Sequence, residues 1–392
     1  MNSLRIISAT ALIGLLAFSS CASAVIDSNA PVVKLRNSAN GGCVEAGLPV
    51  NNCFGNPSAV ADLITWISGT RKPTMASPLL VDIGPGTYPG FTCVNWGYTT
   101  FRGAGRDKTV FTGVKNSIGI TSNNALVTTN CTELEFQHLT LSAKGFLSAA
   151  VRWIGPGNSR WVNVDLTGEG YGWYESGQEP ECTDGIQGNS GKHYWFESRI
   201  AAIGTSTALS KAYKDNCGSE NWFFASELVA QTSAPQGDVL ALEQQGLADT
   251  HFYGSVIRVM TSVPTNAIAI STTGGDVHIH GTGIDVISTA PGSSITALAA
   301  YNGAKIHATG VGYNLKAGSD TDTVTRITNI GGHVHAPYLW EHIPASPLES
   351  VTGADMTTVN TGTSDGHPHL VIYDKSCTAS KWYDAVDKAC RP

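Results

Sequence analysis

The sequence predicts an all-β chain wound as a right-handed parallel β-helix, with a capping helix at its N-terminal end and a small disulfide-stapled C-terminal tail. Three observations predict it. A short apolar anchor with polar flanks recurs at Leu134, Trp161, Trp195, Phe223, Phe252, Ile279, Ile306 and Val334, mostly 27 to 29 residues apart and 34 apart between Trp161 and Trp195. Apolar and polar residues alternate around each anchor, as in Val277-His278-Ile279-His280 and Lys305-Ile306-His307-Ala308. That places alternate side chains inside and outside a strand. Composition agrees: of 392 residues 43 are glycine and only 14% are charged, below the ~25% of an average globular chain. A β-alternating repeat with a period of roughly 20–50 residues is a solenoid signature.

The elements follow in order. Residues 4–18 form an apolar run containing Arg5, and Ala22-Ser23-Ala24 follows as a small-x-small cleavage site. Residues 1–24 therefore read as a signal peptide, with lipidation of Cys21 as the alternative. Either reading exports the chain, to the medium or to the cell envelope. Asn56-Pro57 opens a helix with Asn56 as N-cap, Pro57 in the first turn and Gly69 just past the end. Its apolar face, Val60, Leu63, Ile64 and Ile67, is suited to cover the open edge of a first coil. The β-helix is expected over 25–343. A linker rich in Thr, Ser, Pro and Gly then leads, within 344–392, to a tail closed by Cys377 and Cys390 around Trp382 and Tyr383.

Besides Cys21 there are eight cysteines, an even number that in an exported chain points to disulfides. Spatial neighbours in a solenoid are sequence neighbours, so the expected pairs are Cys43–Cys53, Cys93–Cys131, Cys182–Cys217 and Cys377–Cys390. No CxxC occurs, which argues against a zinc–thiolate site. Lys and Arg number 24 against 31 Asp and Glu, with net charge −7 and no basic run, so nucleic acid is excluded as the main partner. A mean hydropathy of −0.03 with one apolar run, at the start, excludes a multi-span membrane protein. The expected state is a monomer.

Val81-Asp82-Ile83-Gly84-Pro85-Gly86-Thr87-Tyr88, then Phe101-Arg102-Gly103-Ala104-Gly105 and Thr109-Val110-Phe111, resemble the opening coil of pectin methylesterases within the pectin-lyase-like β-helix superfamily. The resemblance implies an exported protein acting on an extracellular polysaccharide. In that family an Asp attacks the ester, a second Asp is acid and base, Gln side chains stabilise the oxyanion and an Arg holds the nucleophile. The nucleophile motif falls on Asp238-Val239-Leu240-Ala241-Leu242, which keeps the Asp. The first Gln motif falls on Cys182, and the Gln-Asp-Thr-Leu motif on Ser206-Thr207-Ala208-Leu209, without its Gln or Asp. The Leu-Gly-Arg-Pro-Trp motif has no counterpart. Thr183-Asp184-Gly185 is similar to one piece of the polygalacturonase pattern.

Two readings of the site follow. Asp184, Asp215, Asp238 and Glu243 meet across adjacent coils as a catalytic carboxylate cluster, or stand singly in solvent; strands stack ~4.8 Å apart and glycosidic cleavage needs carboxyls ~5–10 Å apart. Tyr171, Trp173 and Tyr174 in the lengthened coil, with Trp222 one coil on and Gln187 and Lys211 nearby, line a sugar-binding surface or fold the loop back over the coil. A third feature is a run of histidines beside the anchors: His278, His280, His307, His333 and His335 share an outer face with His251. They hold a divalent metal, bind an anionic polymer, or simply stack. The function expected is recognition, and modification if the site is active, of a uronate-containing polysaccharide. The alternative is a non-catalytic surface or glycan-binding β-helix that has lost the esterase residues.

Overall fold

The structure, a computed structural model, describes residues 30–45, 52–113, 125–129, 131–143, 149–154, 157–175, 191–205, 209–216, 218–234, 237–319 and 322–341, with short strands at 359–360, 382–384 and 389–391. Each full coil lays one strand on each of three faces. The first face runs from Leu79–Ile83 through Ser159–Val162, Lys192–Phe196, Glu220–Phe224 and Asp249–Tyr253 to Asp276–His280. The second runs from Gly86–Tyr88 to Gly283–Ser288, and the third from Phe91–Cys93 to Thr323–Ile330. The long strand Lys305–Lys316 pairs with both Asp276–His280 and Gly283–Ser288, joining the first two faces in one 20-stranded sheet. The third face is a 10-stranded sheet. Strands pair parallel throughout these faces, as the repeat predicts: the fold is a parallel β-helix.

Aromatic side chains fill the interior in register. Phe101, Phe136, Trp161, Trp195, Phe223 and Phe252 stack from coil to coil behind the first face, with Phe136–Trp161 centroids 4.2 Å apart and Trp161–Trp195 centroids 4.9 Å apart. Trp153, Trp173 and Tyr213 stack behind the third. The two stacks meet edge to face, at 87° for Trp161–Trp173 and 89° for Trp173–Trp195, the arrangement the ring quadrupole favours. The second face is sewn externally by charge: Arg199 bridges Asp165 and Glu227, and Arg258 bridges Glu227 and Asp285.

The bend between the first and second faces turns on one left-handed residue per coil. His138, Asn163, Glu197 and Ala225 take it with φ of 47° to 53°, and Gly254, Gly281 and Gly310 continue the column. Just inside the bend, Ser198, Ser226 and Ser255 form a ladder in which each hydroxyl accepts the backbone N–H of the preceding coil. A Cβ at Gly281 would meet nothing within 4 Å, so Gly281→Ala isolates the backbone cost. It is expected to lower unfolding stability by about 1 kcal/mol, read as a shift of the denaturant midpoint.

Several sequence expectations shift in detail. The helix spans Ala59–Trp66 with Ser58, not Asn56, at its N-cap; it continues as a π turn, Ile67–Arg71, that contains Gly69 and ends at Lys72 in the left-handed region. Asn56 and Ser58 instead donate to the Asp62 carboxylate in the first turn. Val60, Leu63 and Ile67 are buried, and the helix packs on Val32–Leu35, Cys53–Phe54 and Phe91–Cys93 at the N-terminal end. Trp161 pairs with Phe136, not Leu134, and Ile306 pairs with Val277, not Ile279. Cys43–Cys53 and Cys93–Cys131 are disulfides. Cys182, Cys217, Cys377 and residues 1–24 lie outside the described residues. In the tail, Trp382–Asp384 pairs antiparallel with Ala389–Arg391. No described helix is long and apolar enough to cross a membrane.

Candidate functional site

Tyr171–Glu175, expected in an insertion, is a regular strand of the third face between Ala149–Trp153 and Ser210–Asp215. Its three aromatic residues favour a strand, and it ends at Glu175, well before the next strand of the first face, Lys192–Phe196. The register aligns Arg152, Tyr174, Lys214 and Glu243 in one outward column, with Tyr171 and Lys211 aligned beside it. The Arg152 guanidinium carbon lies 5.9 Å from the Tyr174 ring centroid and Lys214 Nζ 5.8 Å from it, within cation–π range. The Tyr171 and Tyr174 centroids are 5.0 Å apart. Glu243 Oε2 accepts from Lys211 Nζ at 2.5 Å and pairs with Lys214 Nζ at 3.3 Å. Burial, then Tyr174 and Glu243, push the Tyr171 hydroxyl up to about 12, so it remains an O–H donor at any physiological pH. Four sequence candidates, Tyr171, Tyr174, Lys211 and Glu243, thus come together. Arg152 and Lys214 were missed, because their link to Tyr174 is a coil register that spacing does not reveal.

Other candidates separate. Trp173 is fully buried in the core stack, and Asp215 is fully buried too, accepting from Asn221 Nδ2 at 2.9 Å and from the Gly218 N–H at 3.1 Å. Both are closed to an external ligand. Asp184 and Gln187 lie outside the described residues. Asp238 is exposed and immediately precedes the strand Val239–Gln244 that carries Glu243, five residues and about 16 Å away at ~3.3 Å per residue of extended chain. Asp215, Asp238 and Glu243 therefore form no carboxylate cluster: one points inward, and the other two are too far apart for paired catalysis.

Asp238 instead accepts from Asn266 Nδ2 and lines a polar cleft of about 520 Å³ with Asn266, Ser293, Ser294 and Asp322. Asp322 is buried and accepts from the N–H groups of Gly292, Gly318 and Ser319 and from Ser319 Oγ, at 2.6 to 3.1 Å. Burial alone would raise its carboxyl, but these bonds outweigh it and hold the group below its usual value. Asp322→Ala is expected to cost ~1–3 kcal/mol at neutral pH by leaving those donors unpaired. Because the folded pKa is the lower one, the difference from wild type should be full above about pH 4 and shrink as pH falls further. Urea melts at pH 7 and pH 3 check both points.

The histidines of the first face resolve into columns. Tyr194, Trp222, His251, His278 and His307 stack with centroids 6.5, 3.9, 4.6 and 4.8 Å apart, and the His335 backbone is in register with His307. Phe196, Phe224, Tyr253 and His280 form a second column. Lys192, Glu220, Asp249, Asp276, Lys305 and His333 form a charged third. The predicted histidine set is therefore split: His280 and His333 sit in flanking columns. Since the rings cover one another's faces, Trp222 offers its edge, with Nε1 donating to Glu220 at 3.0 Å, and not a flat face for a sugar. Burial, then the charge on His251, hold His278 and His280 below the ordinary imidazole value.

Inside the coil Ser159 Oγ lies 2.7 Å from His193 Nδ1, and His193 Nε2 lies 3.6 Å from Glu175 Oε2. All three are buried, with the His193 ring edge-on to Trp153 and Trp173, so this line of groups is closed to an external ligand. No protein-family model matches the chain, and no curated protein matches it. The functional reading therefore stands on the geometry and on the opening-coil motifs.

Proposed function

We propose that the protein is an exported β-helix that binds an acidic, uronate-containing polysaccharide across its third face. The observation that carries this reading is the convergence of Arg152, Lys211 and Lys214, from two adjoining coils' neighbours of Tyr174, on two tyrosines and one carboxylate, in a chain of net charge −7. Lysines held in a partly desolvated patch attract a carboxylate more strongly than lysines in bulk water. Tyr171 and Tyr174 add hydroxyl donors for a sugar's carboxylate and ring oxygens. The pectin-methylesterase-like opening coil points to the same substrate class. The column Arg152, Tyr174, Lys214 and Glu243 runs along the helix axis over four adjacent strands, which suits a polymer over a monosaccharide.

A second reading, an esterase, lyase or hydrolase, rests on Asp238 and its cleft. One experiment separates the two: incubate the mature chain with methylated and unmethylated pectins, alginate and neutral glycans, then measure retention and product mass. Binding predicts retention of unmethylated, charged polymers that weakens with salt, with glycan masses unchanged. Loss of methyl, unsaturated ends or added water would make the protein an enzyme. Equal retention of neutral glycans would overturn the anionic ligand.

A further inference from the structure

We propose that Asp249, His251 and His278 hold one divalent transition-metal ion, of the zinc, copper or nickel class, on the first face. Asp249 Oδ1 lies 3.1 Å from His251 Nε2 and 3.6 Å from His278 Nε2, and one donor atom from each of the three residues falls within 4.8 Å of the others. Ligands at ~2.0–2.1 Å in a tetrahedron stand about 3.3 Å from one another, so the two shorter separations already bracket that edge. Asp249 Oδ1 is shut off from solvent and accepts no well-shaped hydrogen bond, although two imidazole nitrogens face it. A cation between them satisfies all three groups. Two nitrogens and one oxygen suit zinc, copper or nickel and not the oxygen-only shells of calcium or magnesium.

The pattern behind the site is Asp-x-His repeated in register, Asp249-Thr250-His251 and Asp276-Val277-His278. It recurs one coil on as Asp276, His278 and His307. There Lys305 Nζ stands 3.5 Å from Asp276 Oδ1, a fixed positive charge that already occupies the carboxylate and repels a second cation. Charge therefore selects the Asp249 site. The His251 and His278 rings are parallel to within 8°, and their lone pairs run side by side. Ligation makes each ring tilt toward the carboxylate, loosening the contact of His251 with Trp222, now 3.9 Å. Three protein ligands leave a fourth position to solvent.

The test is equilibrium dialysis of tag-free, chelator-treated full chain against Zn²⁺ at pH 7.5, with Co²⁺ absorption to report tetrahedral geometry. One equivalent of Zn²⁺ is expected, with affinity lowered at least tenfold in Asp249→Asn and in His251→Ala, and unchanged in His280→Ala and Asp276→Asn. Circular dichroism and the melting midpoint establish that each variant is folded. Substoichiometric Zn²⁺ in wild type would overturn the proposal. So would equal losses in His280→Ala, or a loss in Asp276→Asn with none in Asp249→Asn, which would move the ion one coil on.

Discussion

Replacing Trp195 by alanine is expected to lower unfolding stability by ~3–5 kcal/mol, the range for removing a buried tryptophan. Trp195 is fully buried, stacked on Trp161 and Phe223 and edge-on to Trp173 at 5.1 Å and Tyr213 at 6.0 Å. Its removal opens a cavity at the crossing of both aromatic stacks. In a solenoid each coil contacts only its neighbours, so cooperativity passes through such junctions. A break here should uncouple the coils before residue 192 from those after 220. Guanidinium melts should then broaden or divide, and hydrogen exchange should quicken in the strands adjoining Lys192–Phe196 before it does near Gly283–Ser288. Trp195→Phe, which keeps a stacked ring, should lose less than half as much. A loss below about 1 kcal/mol in Trp195→Ala would contradict the junction's role, because a buried tryptophan that merely filled volume would already cost more than that.

The second large effect is on ligand binding. Lys211→Gln with Lys214→Gln is expected to weaken binding to polygalacturonate about tenfold or more, which is about 1.4 kcal/mol, and to flatten its salt dependence. Glutamine keeps much of the side-chain volume and removes only the charge. Glu243→Gln should act in the opposite sense and tighten binding, because it frees both lysines from a competing carboxylate. Arg199→Gln, on the second face within its own network of Asp165 and Glu227, should change neither quantity. Calorimetric titration at two salt concentrations measures all four proteins. Equal weakening in Arg199→Gln would show a diffuse effect of net charge and not a site.

Much of the fold was legible because a solenoid writes its period into the chain. What escaped was register. A two-residue slip leaves every side chain on the same face of a strand but changes its neighbour on the next coil. That is how Ile306 was matched to Ile279 although it pairs with Val277, and how His280 and His333 were grouped with His278. Setting Lys305-Ile306-His307 under Asp276-Val277-His278, a charged residue and a histidine two apart, is the signal that corrects it. The third-face site was half legible. Tyr171, Tyr174, Lys211 and Glu243 were named for their chemistry, but Arg152 and Lys214 join them only once the strands are aligned. Trp173 was misjudged because Tyr171–Glu175 reads as loop; as a strand it sends Trp173 inward and Tyr174 outward. Asp215 was misjudged because a carboxylate inside a β-helix is unexpected until Asn221 and the Gly218 N–H are there to receive it.

The central claim is that carboxylates on a polysaccharide are what the third face recognises. The most direct measurement compares polygalacturonate with the same polymer after its carboxyl groups are reduced to alcohols, each titrated into wild-type protein. The account predicts saturable binding to the native polymer and none measurable to the reduced one. Equal binding to both would contradict it, because the two polymers differ only in carrying a carboxylate or a hydroxymethyl group on each sugar.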